Sequence, residues 1–312
     1  MALSDYIHTF GQAMKKLYGE RIHKLAIDAE FTCPNRDGTK GVGGCTFCNN
    51  SSFSPNGRQP KSLGQQIEAG RQVILKRTRA SKYIAYFQAY TNTYADINQL
   101  KELYDRALSE PDVIGLAIGT RPDCVPEPVV KLLQAYQQQG YEIWLELGLQ
   151  SSSNETLERV NRGHTYEDYC DAVQMARQHG IKVCTHLIIG FPGETGKDAE
   201  ETLLKVLDKG VDGLKIHPLH VVKGTVLANE WREGQYQPLD FDDYIQTVAN
   251  IVELTPKKII FHRLTGTASE NLLLAPQWCS KKWHVLNSIE RELINRGSYQ
   301  GAALENDYAF ST

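Results

Sequence analysis

The most informative stretch of the chain is Cys33-Pro-Asn-Arg-Asp-Gly-Thr-Lys-Gly-Val-Gly-Gly-Cys-Thr-Phe-Cys48. It holds Cys33, Cys45 and Cys48 in a glycine-rich loop, and glycine tolerates the φ values that a tight cage of ligands needs. Three thiolates leave a fourth position open on whatever they bind. Three interpretations follow: reduced thiols without a function, a zinc site, or an iron–sulfur cluster with one open iron. Structural zinc usually has four protein ligands, and no fourth cysteine or histidine lies nearby in the loop.

The composition favours one large domain with an extension, or two small domains, in a reducing compartment. The chain has 312 residues, of which 41% are hydrophobic, enough for a substantial core. Its formal net charge of −3 gives no global attraction to nucleic acid. Seven cysteines, three of them clustered, favour cluster chemistry over disulfides. No signal peptide or membrane-spanning run is evident, so we expect a cytoplasmic protein without membrane contact.

Short apolar strands alternate with helical patterns along most of the chain. The first helix is predicted at 4–18, capped by Ser4 or Asp5, and the first strand, at 23–31, leads into the cysteine loop. Further strands are predicted at 83–88, 113–118, 143–147, 181–189, 213–217 and 257–263, and further helices at 63–79, 97–109, 127–138, 154–160, 166–179, 199–209, 241–254 and 285–296. This alternation predicts an α/β fold, a partial (β/α)6 TIM-like barrel with a C-terminal extension. Such barrels place their chemistry at the C-terminal ends of the strands.

Polar motifs stand at these predicted strand ends. They are Phe87-Gln-Ala-Tyr-Thr-Asn-Thr-Tyr94, Ile118-Gly-Thr-Arg-Pro-Asp123, Glu146-Leu-Gly-Leu-Gln-Ser151 with the later Asn161-Arg-Gly-His-Thr165, His186-Leu-Ile-Ile-Gly-Phe-Pro-Gly-Glu194, and Leu214-Lys-Ile-His-Pro-Leu-His-Val-Val-Lys-Gly-Thr225. The last motif gathers Lys215, His217 and His220, and histidine carries protons near neutral pH, so these three are catalytic candidates. Structural interpretations stay open: an ion pair of Arg121 with a neighbouring acid, and a core position for His186.

Together these residues resemble the radical S-adenosylmethionine (SAM) superfamily. The long gap between Cys33 and Cys45 is similar to the YhcC/YtqA-type subgroup, and the later motifs resemble the radical SAM domain of the Elongator catalytic subunit. The resemblance implies a [4Fe–4S] cluster on Cys33, Cys45 and Cys48, with Phe47 at the aromatic position before the last cysteine. SAM would bind the open iron and be cleaved reductively to a 5′-deoxyadenosyl radical. An electron donor such as flavodoxin or ferredoxin is implied as a partner.

The resemblance also implies the residues that contact SAM. Gln150 would contact its ribose and Arg162 its carboxylate, while His186 and Gly190 belong to the turn that holds adenine. The usual Gly-Gly-Glu-like segment is missing after the second strand, so Tyr90 and Asn92 are expected to serve there. The remaining candidates are Arg121, as a fork for a carboxylate, and Glu146, a buried acid that needs a partner such as the SAM ammonium or a hydroxyl.

The implied organisation is an N-terminal helix at 1–22, a radical SAM core at 23–265 and a C-terminal extension at 266–312. The implied substrate is tRNA, specifically a carboxymethylaminomethyl-type group at C5 of a wobble uridine. The basic segment from Arg71 to Lys82, and the Lys281-Lys282 pair between Trp278 and Trp283, are candidates for holding RNA, although the basic segment is equally a solvated face. The alternatives are a radical SAM enzyme on a small-molecule substrate and a non-catalytic iron–sulfur or zinc binding module.

Overall fold

Strands and helices alternate through most of the chain, and the computed structural model describes residues 2–49, 62–78 and 80–309. The helices are α1 Phe10–Tyr18, α2 Leu63–Thr78, α3 Ile97–Leu108, α4 Glu127–Gln138, α5 Asn154–Arg159, α6 Tyr166–Gln178, α7 Gly196–Asp208, α8 Val226–Arg232, α9 Phe241–Leu254, α10 Lys282–Asn295 and α11 Ala302–Ala309. The strands are β1 Ile22–Ile27, β2 Lys82–Phe87, β3 Val113–Thr120, β4 Glu142–Gln150, β5 Lys182–Ile189, β6 Gly213–Pro218, β7 Val221–Val222, β8 Ile260–Arg263 and β9 Leu273–Ala275.

Seven of these strands form one parallel sheet in the order β1-β2-β3-β4-β5-β6-β8. The strands lie side by side in the order in which they occur along the chain, with only β7 left out. This is the order that a (β/α) barrel requires. The sheet curls into a half-barrel, with β1 and β8 as its edges. The predicted partial barrel is therefore confirmed. β7 and β9 form a separate antiparallel ribbon.

The two faces of the sheet bury different sets of side chains, because successive residues of a strand point to opposite sides. In β4, Leu145 and Leu147 belong to the main core cluster, which also contains the apolar faces of the helices. Trp144 belongs to a second cluster together with Phe10 and Met14 of α1. Helix α1 therefore packs its apolar face against the lumen of the barrel, near the N-terminal ends of the strands.

The register of the sheet places the strand-end motifs side by side. Gly119 of β3 lies opposite Glu146 of β4, and His186 of β5 lies opposite Lys215 of β6. Because all seven strands run the same way, the loops that follow them meet at one edge. The cysteine loop follows β1 at this edge.

Helix α1 begins later than predicted, at Phe10 instead of residue 4. The Thr9 side chain accepts a hydrogen bond from the Gln12 backbone at 3.3 Å, and the Gln12 side chain accepts one from the Thr9 backbone at 3.0 Å. This reciprocal capping box starts the helix at that point. The predicted caps, Ser4 and Asp5, lie in a short 3-10 turn instead.

Other boundaries shift by a few residues. β1 ends at Ile27 instead of residue 31, α10 begins at Lys282 instead of residue 285, and residue 79 of the predicted second helix lies outside the described residues. The sequence did not predict α8, α11, β7 or β9. The two strands have only two and three residues, too few to give a clear periodic pattern.

The C-terminal extension packs on the barrel, as expected. Val285, Ile289 and Leu293 of α10 are fully buried within the main core cluster. The Gln300 amide donates hydrogen bonds to the carbonyl oxygens of Pro256 and Ile259, at 2.8 Å each. The extension therefore completes the core of the barrel.

Candidate functional site

A cavity of about 410 Å³ lies at the edge of the sheet where the strands end. Its wall includes all three cysteines of the loop. The other predicted site residues that line it are Phe47, Tyr90, Arg121, Glu146, Gln150, Arg162, His186, His217 and His220. Among the described residues, the predicted Asn92, Gly190 and Lys215 lie outside this wall. Most of the candidates therefore meet at one place.

The cysteine loop is folded by local backbone hydrogen bonds. The Cys33 carbonyl accepts from the Arg36 amide at 2.8 Å, and the Cys45 carbonyl accepts from the Cys48 amide at 3.0 Å. Gly44 has a φ of +79°, and a Cβ at this position would lie 2.7 Å from Arg36 Nε. Glycine is thus required here both by the left-handed backbone and by the close approach of Arg36.

Two asparagines fasten this loop to the segment between α5 and α6. The Asn35 amide donates to the Asn161 carbonyl at 2.5 Å, and the Asn161 amide donates to the Gly44 carbonyl at 2.8 Å. The Thr46 amide also donates to the Val160 carbonyl, at 3.0 Å. The loop and the Asn161-Arg-Gly-His-Thr165 motif therefore form one unit, which the sequence did not reveal.

Hydrogen-bond donors surround the thiols. Arg162 Nη1 lies 3.4 Å from Cys45 Sγ, and Asn35 Nδ2 lies 3.8 Å from the same sulfur. Burial raises the pKa of Cys48 and Cys45 adds to this, whereas Arg36 and Arg162 oppose it. Cationic and amide donors favour thiolates, the form in which cysteine binds metal. The surroundings of the cysteines therefore suit ligands of a cluster.

The described ranges contain no group of three His, Cys, Asp or Glu side chains arranged to hold a single metal ion. The thiolates of a [4Fe–4S] cluster each bind a different iron, so they surround a volume instead of converging on one point. The shared cavity provides such a volume.

Gln150 and Arg162 approach each other across Gly148. A Cβ on Gly148 would lie 2.8 Å from both Gln150 Nε2 and Arg162 Nη2. Arg162 Nη2 donates to the Gly148 carbonyl at 2.6 Å, which fixes the guanidinium above the end of β4. Gln150 has a φ of +83°, a conformation that non-glycine residues seldom adopt outside functional sites. The structure thus brings together the two residues whose pairing the sequence singled out.

Arg121 forms an ion pair within its own motif. Its Nε and Nη2 donate to the two carboxylate oxygens of Asp123 at 2.9 and 3.0 Å, and its Nη1 donates to the Arg162 carbonyl at 2.7 Å. Lys40 also contacts Asp123, at 2.8 Å. The carboxylate that fits the Arg121 fork is therefore that of Asp123, and Arg121 positions the backbone of Arg162.

The segment after β2 presents Tyr90 and Thr91 to the cavity, whereas Asn92 turns away. Tyr90 has a φ of +62°. The side-chain amide of Asn92 donates to the Gly119 carbonyl at 2.8 Å, and the backbone carbonyl of Asn92 accepts from the Tyr104 hydroxyl at 2.5 Å. Asn92 therefore fastens this loop to the end of β3, and its predicted contact with SAM is untested.

Glu146 lies in a cluster of cations inside the barrel. Its side chain is 0% exposed. Lys24 Nζ lies 2.5 Å from Glu146 Oε1, His186 Nε2 lies 2.8 Å from Oε2, and Lys215 donates to Oε2 as well. Lys215 also donates to the Tyr86 hydroxyl at 2.9 Å. The partner that the buried acid needs is thus provided by two lysines of the protein.

The pKa values in this cluster follow from burial and charge. Burial would raise the pKa of Glu146, but the charges of Lys215 and Lys24 outweigh it and hold this pKa well below its usual range. Burial lowers the pKa of Lys215 to about 8, although Glu146 opposes the shift. Burial and then the Lys215 charge lower the pKa of His186 to about 4. At neutral pH Glu146 is therefore a carboxylate, Lys215 is mostly an ammonium group and His186 is a neutral imidazole.

His217 and His220 lie at the end of β6, beside the loop after β8. Burial lowers the pKa of His217 well below the usual value, and lowers that of His220 to about 4. Both rings are therefore neutral at pH 7, where a proton carrier with an ordinary pKa would be partly charged. Their predicted catalytic role, and that of Lys215, remains a prediction.

Gly190 lines a neighbouring cavity of about 170 Å³. Its carbonyl accepts a hydrogen bond from the Tyr236 hydroxyl at 2.8 Å, and its φ is +99°. Phe191, the next residue, packs edge-on against Phe47 with ring centroids 5.5 Å apart. The predicted adenine turn thus reaches the site through the Phe47–Phe191 pair.

Of the two tryptophans that flank the Lys281-Lys282 pair, Trp283 is the more accessible. Its side chain is 72% exposed, and Lys282 Nζ lies 5.6 Å from its ring centroid. Trp278 packs on Phe241 and Tyr244, so it does not present a free stacking face.

The basic segment of α2 lies at the other end of the sheet from the cysteine loop. Lys82 begins β2, and the six-residue strand separates it from the site edge by about 20 Å. Lys82 pairs with Glu20 at 2.8 Å, and Arg71 pairs with Glu68 at 2.7 Å. Two of its cations are thus already paired with acids of the protein.

Several lining residues were not predicted from the sequence, among them Arg36 and Arg263. Arg36 could have been found as a cation inside the cysteine loop, and Arg263 as the last residue of a predicted strand.

Three buried polar atoms in residues of the cavity wall find no hydrogen-bond partner among the described residues: Thr91 Oγ1, Arg162 Nε and His220 Nε2. Unpartnered buried polar atoms are costly, so a polar molecule that reaches them gains binding energy. SAM carries hydroxyl, carboxylate and ammonium groups, and the cavity thus fits it.

The helices described here include none that combines the length and the apolar character needed to cross a membrane.

Comparison with protein families gives two matches that adjoin along the chain. The profile of the Radical SAM superfamily matches residues 36–206, and that of the Radical_SAM C-terminal domain matches residues 211–295. The first begins inside the cysteine loop, includes Cys45 and Cys48, and covers β2 to β5, and the second reaches through α10.

Individual proteins agree with the profiles. Protein YhcC of Escherichia coli K12 is 44% identical over 304 residues, which cover 97% of both chains. A tRNA uridine(34) acetyltransferase of Methanocaldococcus jannaschii is 32% identical over 160 residues, which cover 50% of this chain and 29% of that protein. The structure of the archaeal Elp3 of Methanocaldococcus infernus has the same fold, with a TM-score of 0.67 at 20% identity, covering 89% of this chain and 64% of that chain.

The family profile matches more than half of the chain, including Cys45 and Cys48, and a relative aligned over 97% of both chains is 44% identical. The chain therefore belongs to the radical SAM superfamily.

Proposed function

We propose that this chain holds a [4Fe–4S] cluster and SAM in the cavity, and acts on the C5 side chain of a wobble uridine in tRNA. The observation that carries the cofactor assignment is that the three cysteines, Gln150 and Arg162 line one cavity. When bound there, the reduced cluster would supply the electron that cleaves SAM to methionine and a 5′-deoxyadenosyl radical.

The side chains of the cavity hold and orient these groups. Cys33, Cys45 and Cys48 provide the thiolates, and the donors beside Cys45 stabilise its negative charge. Gln150 would accept or donate a hydrogen bond to a ribose hydroxyl, and Arg162 would bind the carboxylate of SAM. These contacts fix the cofactor at the open end of the barrel, while α1 fills the opposite end.

The tRNA substrate is supported by the similarity to a tRNA uridine(34) acetyltransferase, whose alignment covers half of this chain. Trp283 and Lys282 add a local feature: an exposed aromatic ring beside a cation suits stacking of an unpaired base. The specific reaction that we propose is remodelling of a carboxymethylaminomethyl-type group.

The test is anaerobic reconstitution with iron and sulfide, followed by dithionite, SAM and tRNA that carries 5-carboxymethylaminomethyluridine at the wobble position. We expect 5′-deoxyadenosine to form, and nucleosides digested from the tRNA to show a changed mass at that uridine. Both products are measured by liquid chromatography and mass spectrometry.

The variants Cys48→Ala and Cys170→Ala form a matched pair. Cys48 lines the cavity, whereas Cys170 lies on α6 outside its wall. Both products should disappear in the first variant and persist in the second. Formation of 5′-deoxyadenosine with unchanged tRNA would point to a small-molecule substrate, and zinc in place of iron would point to a binding module.

A further inference from the structure

Arg263 lines the cavity at the end of β8, and it has no acidic partner there. Its exposed side chain makes no hydrogen bond or ion pair with another residue in the parts of the chain that the structure describes. Arg121, by comparison, is neutralised by Asp123. A guanidinium without an acid in a partly enclosed site is suited to bind an oxyanion through its planar fork of donors.

His220 provides the second observation. Its side chain lines the same cavity and is only 7% exposed, yet its Nε2 has no hydrogen-bond partner among the described residues. Burial is the first cause of the low pKa of both His217 and His220, and the charge of Arg263 adds to it in each case. Arg263 therefore lies close enough to act on both rings. With its hydrogen on Nε2, neutral His220 donates to an oxyanion that Arg263 binds, in exchange for the hydrogen bond between its ring and the Gly266 backbone.

The charges nearby favour an anion at this place. Glu146 is the one carboxylate in the cavity wall among the described residues, and Lys24 and Lys215 already bind it. Arg263 is thus a cation of the cavity wall that no carboxylate of the wall neutralises. An anionic group can bind it without displacing an existing ion pair.

We infer that Arg263 and His220 form a subsite for an oxyanion of the substrate, a carboxylate or a phosphate. The subsite is separate from Arg162, where the SAM carboxylate is expected. This inference rests on the proposed function. A modified wobble uridine offers both groups, a carboxylate on its C5 side chain and the phosphates of its backbone.

The test is calorimetric titration of the full-length protein, reconstituted with its cluster and supplied with SAM but no reductant. The probes are the nucleoside 5-carboxymethylaminomethyluridine, uridine 5′-monophosphate and uridine. At least one anionic probe should bind more tightly than uridine, and Arg263→Gln should weaken that probe by about 10- to 100-fold, the range for charge-assisted hydrogen bonds. His220→Ala should weaken it less, because it removes a neutral donor.

The matched control is Arg291→Gln, which changes an exposed arginine of α10 outside the cavity wall and should leave every affinity unchanged. SAM affinity and the cluster absorption spectrum should also stay unchanged in Arg263→Gln, which separates the subsite from the cofactor site. A loss confined to the carboxylate probe assigns the subsite to the C5 side chain. A loss confined to the monophosphate assigns it to the backbone.

The inference is overturned if neither anionic probe binds more tightly than uridine, or if Arg263→Gln weakens uridine as much as the anions. The oxyanion subsite and the proposed function can be contradicted independently. Arg263-dependent binding of an anion by a protein that leaves tRNA unmodified would support the subsite and contradict the tRNA assignment. Modified tRNA with unchanged probe affinities would do the reverse.

Discussion

Gly148 determines whether Gln150 and Arg162 can lie beside each other. It stands between them at the end of β4, where the backbone of Gln150 adopts its unusual positive φ. A side chain at this position would occupy the space in which the two polar groups meet. Gln150 and Arg162 can therefore lie side by side only because the residue between them in space is a glycine.

The variant Gly148→Ala should weaken SAM binding about 10-fold or more. Its methyl group would lie 2.8 Å from Gln150 Nε2 and from Arg162 Nη2, so both side chains must move away from the cofactor. Equilibrium dialysis with labelled SAM, on protein with a reconstituted cluster, measures the effect. Gly11→Ala is the matched control, because a Cβ there meets nothing within 4 Å. Equal SAM affinity in both variants would remove Gln150 and Arg162 from the SAM site.

At the scale of the element, β4 carries an acid into the lumen of the barrel. Trp144 precedes Glu146 by two residues and Gly148 follows it by two, so all three lie on the same face of the strand. Strand β4 therefore connects the apolar end of the lumen with the polar site. The two lysines that bind Glu146 come from strands that are not adjacent to β4, Lys24 from β1 and Lys215 from β6. Strand β4 is thus held to both halves of the sheet by charge as well as by backbone hydrogen bonds.

The variant Glu146→Gln should destabilise the protein by about 3–5 kcal/mol near pH 7, because it leaves the buried Lys215 and the half-buried Lys24 without a carboxylate partner. Denaturation with urea, followed by far-ultraviolet circular dichroism, measures the free energy of unfolding. Glu127→Gln is the control, since Glu127 pairs with Lys131 on the exposed surface and should cost no more than about 1 kcal/mol. A similar small loss in both variants would show that the buried cluster does not depend on Glu146.

The stability difference between Glu146→Gln and the unaltered protein should narrow as the pH rises toward about 8, and should stay nearly constant above it. The pKa of Lys215 is lowered to about 8 by burial, so the folded protein binds fewer protons than the unfolded chain between this pH and the usual lysine range, and its stability increases with pH there. Glu146 opposes the lowering, so in the variant Lys215 loses its proton at a lower pH and the same increase in stability begins earlier. Urea titrations at pH 7 and pH 10 measure the narrowing, and a constant difference contradicts it.

At the scale of the whole molecule, much of the architecture could be predicted because local patterns determine it. The alternation of apolar strands with amphipathic helices indicated the barrel, and the cysteine spacing with the later Gln150 and Arg162 indicated which edge carries the site. The partners of Glu146 could not be predicted, since Lys24, His186 and Lys215 belong to three different strands. The role of α1 was hidden for the same reason: Phe10 meets Trp144 only after the sheet has curled.

The sequence predicts a boundary at residue 265 between the radical SAM core and the C-terminal extension. In the structure, side chains from both sides of this boundary belong to one hydrophobic cluster. A chain that ends at residue 265 should therefore fail to fold, because it exposes the apolar surface that Val285, Ile289 and Leu293 cover. Burial of each such side chain contributes about 1.5–3 kcal/mol, so losing all three removes stability comparable to that of a whole domain. A chain that ends at Gly301 keeps α10 and should remain folded, with a lower melting temperature. Size-exclusion chromatography and thermal unfolding distinguish the two truncations, and cooperative unfolding of the shorter chain would show that the barrel is stable without its extension.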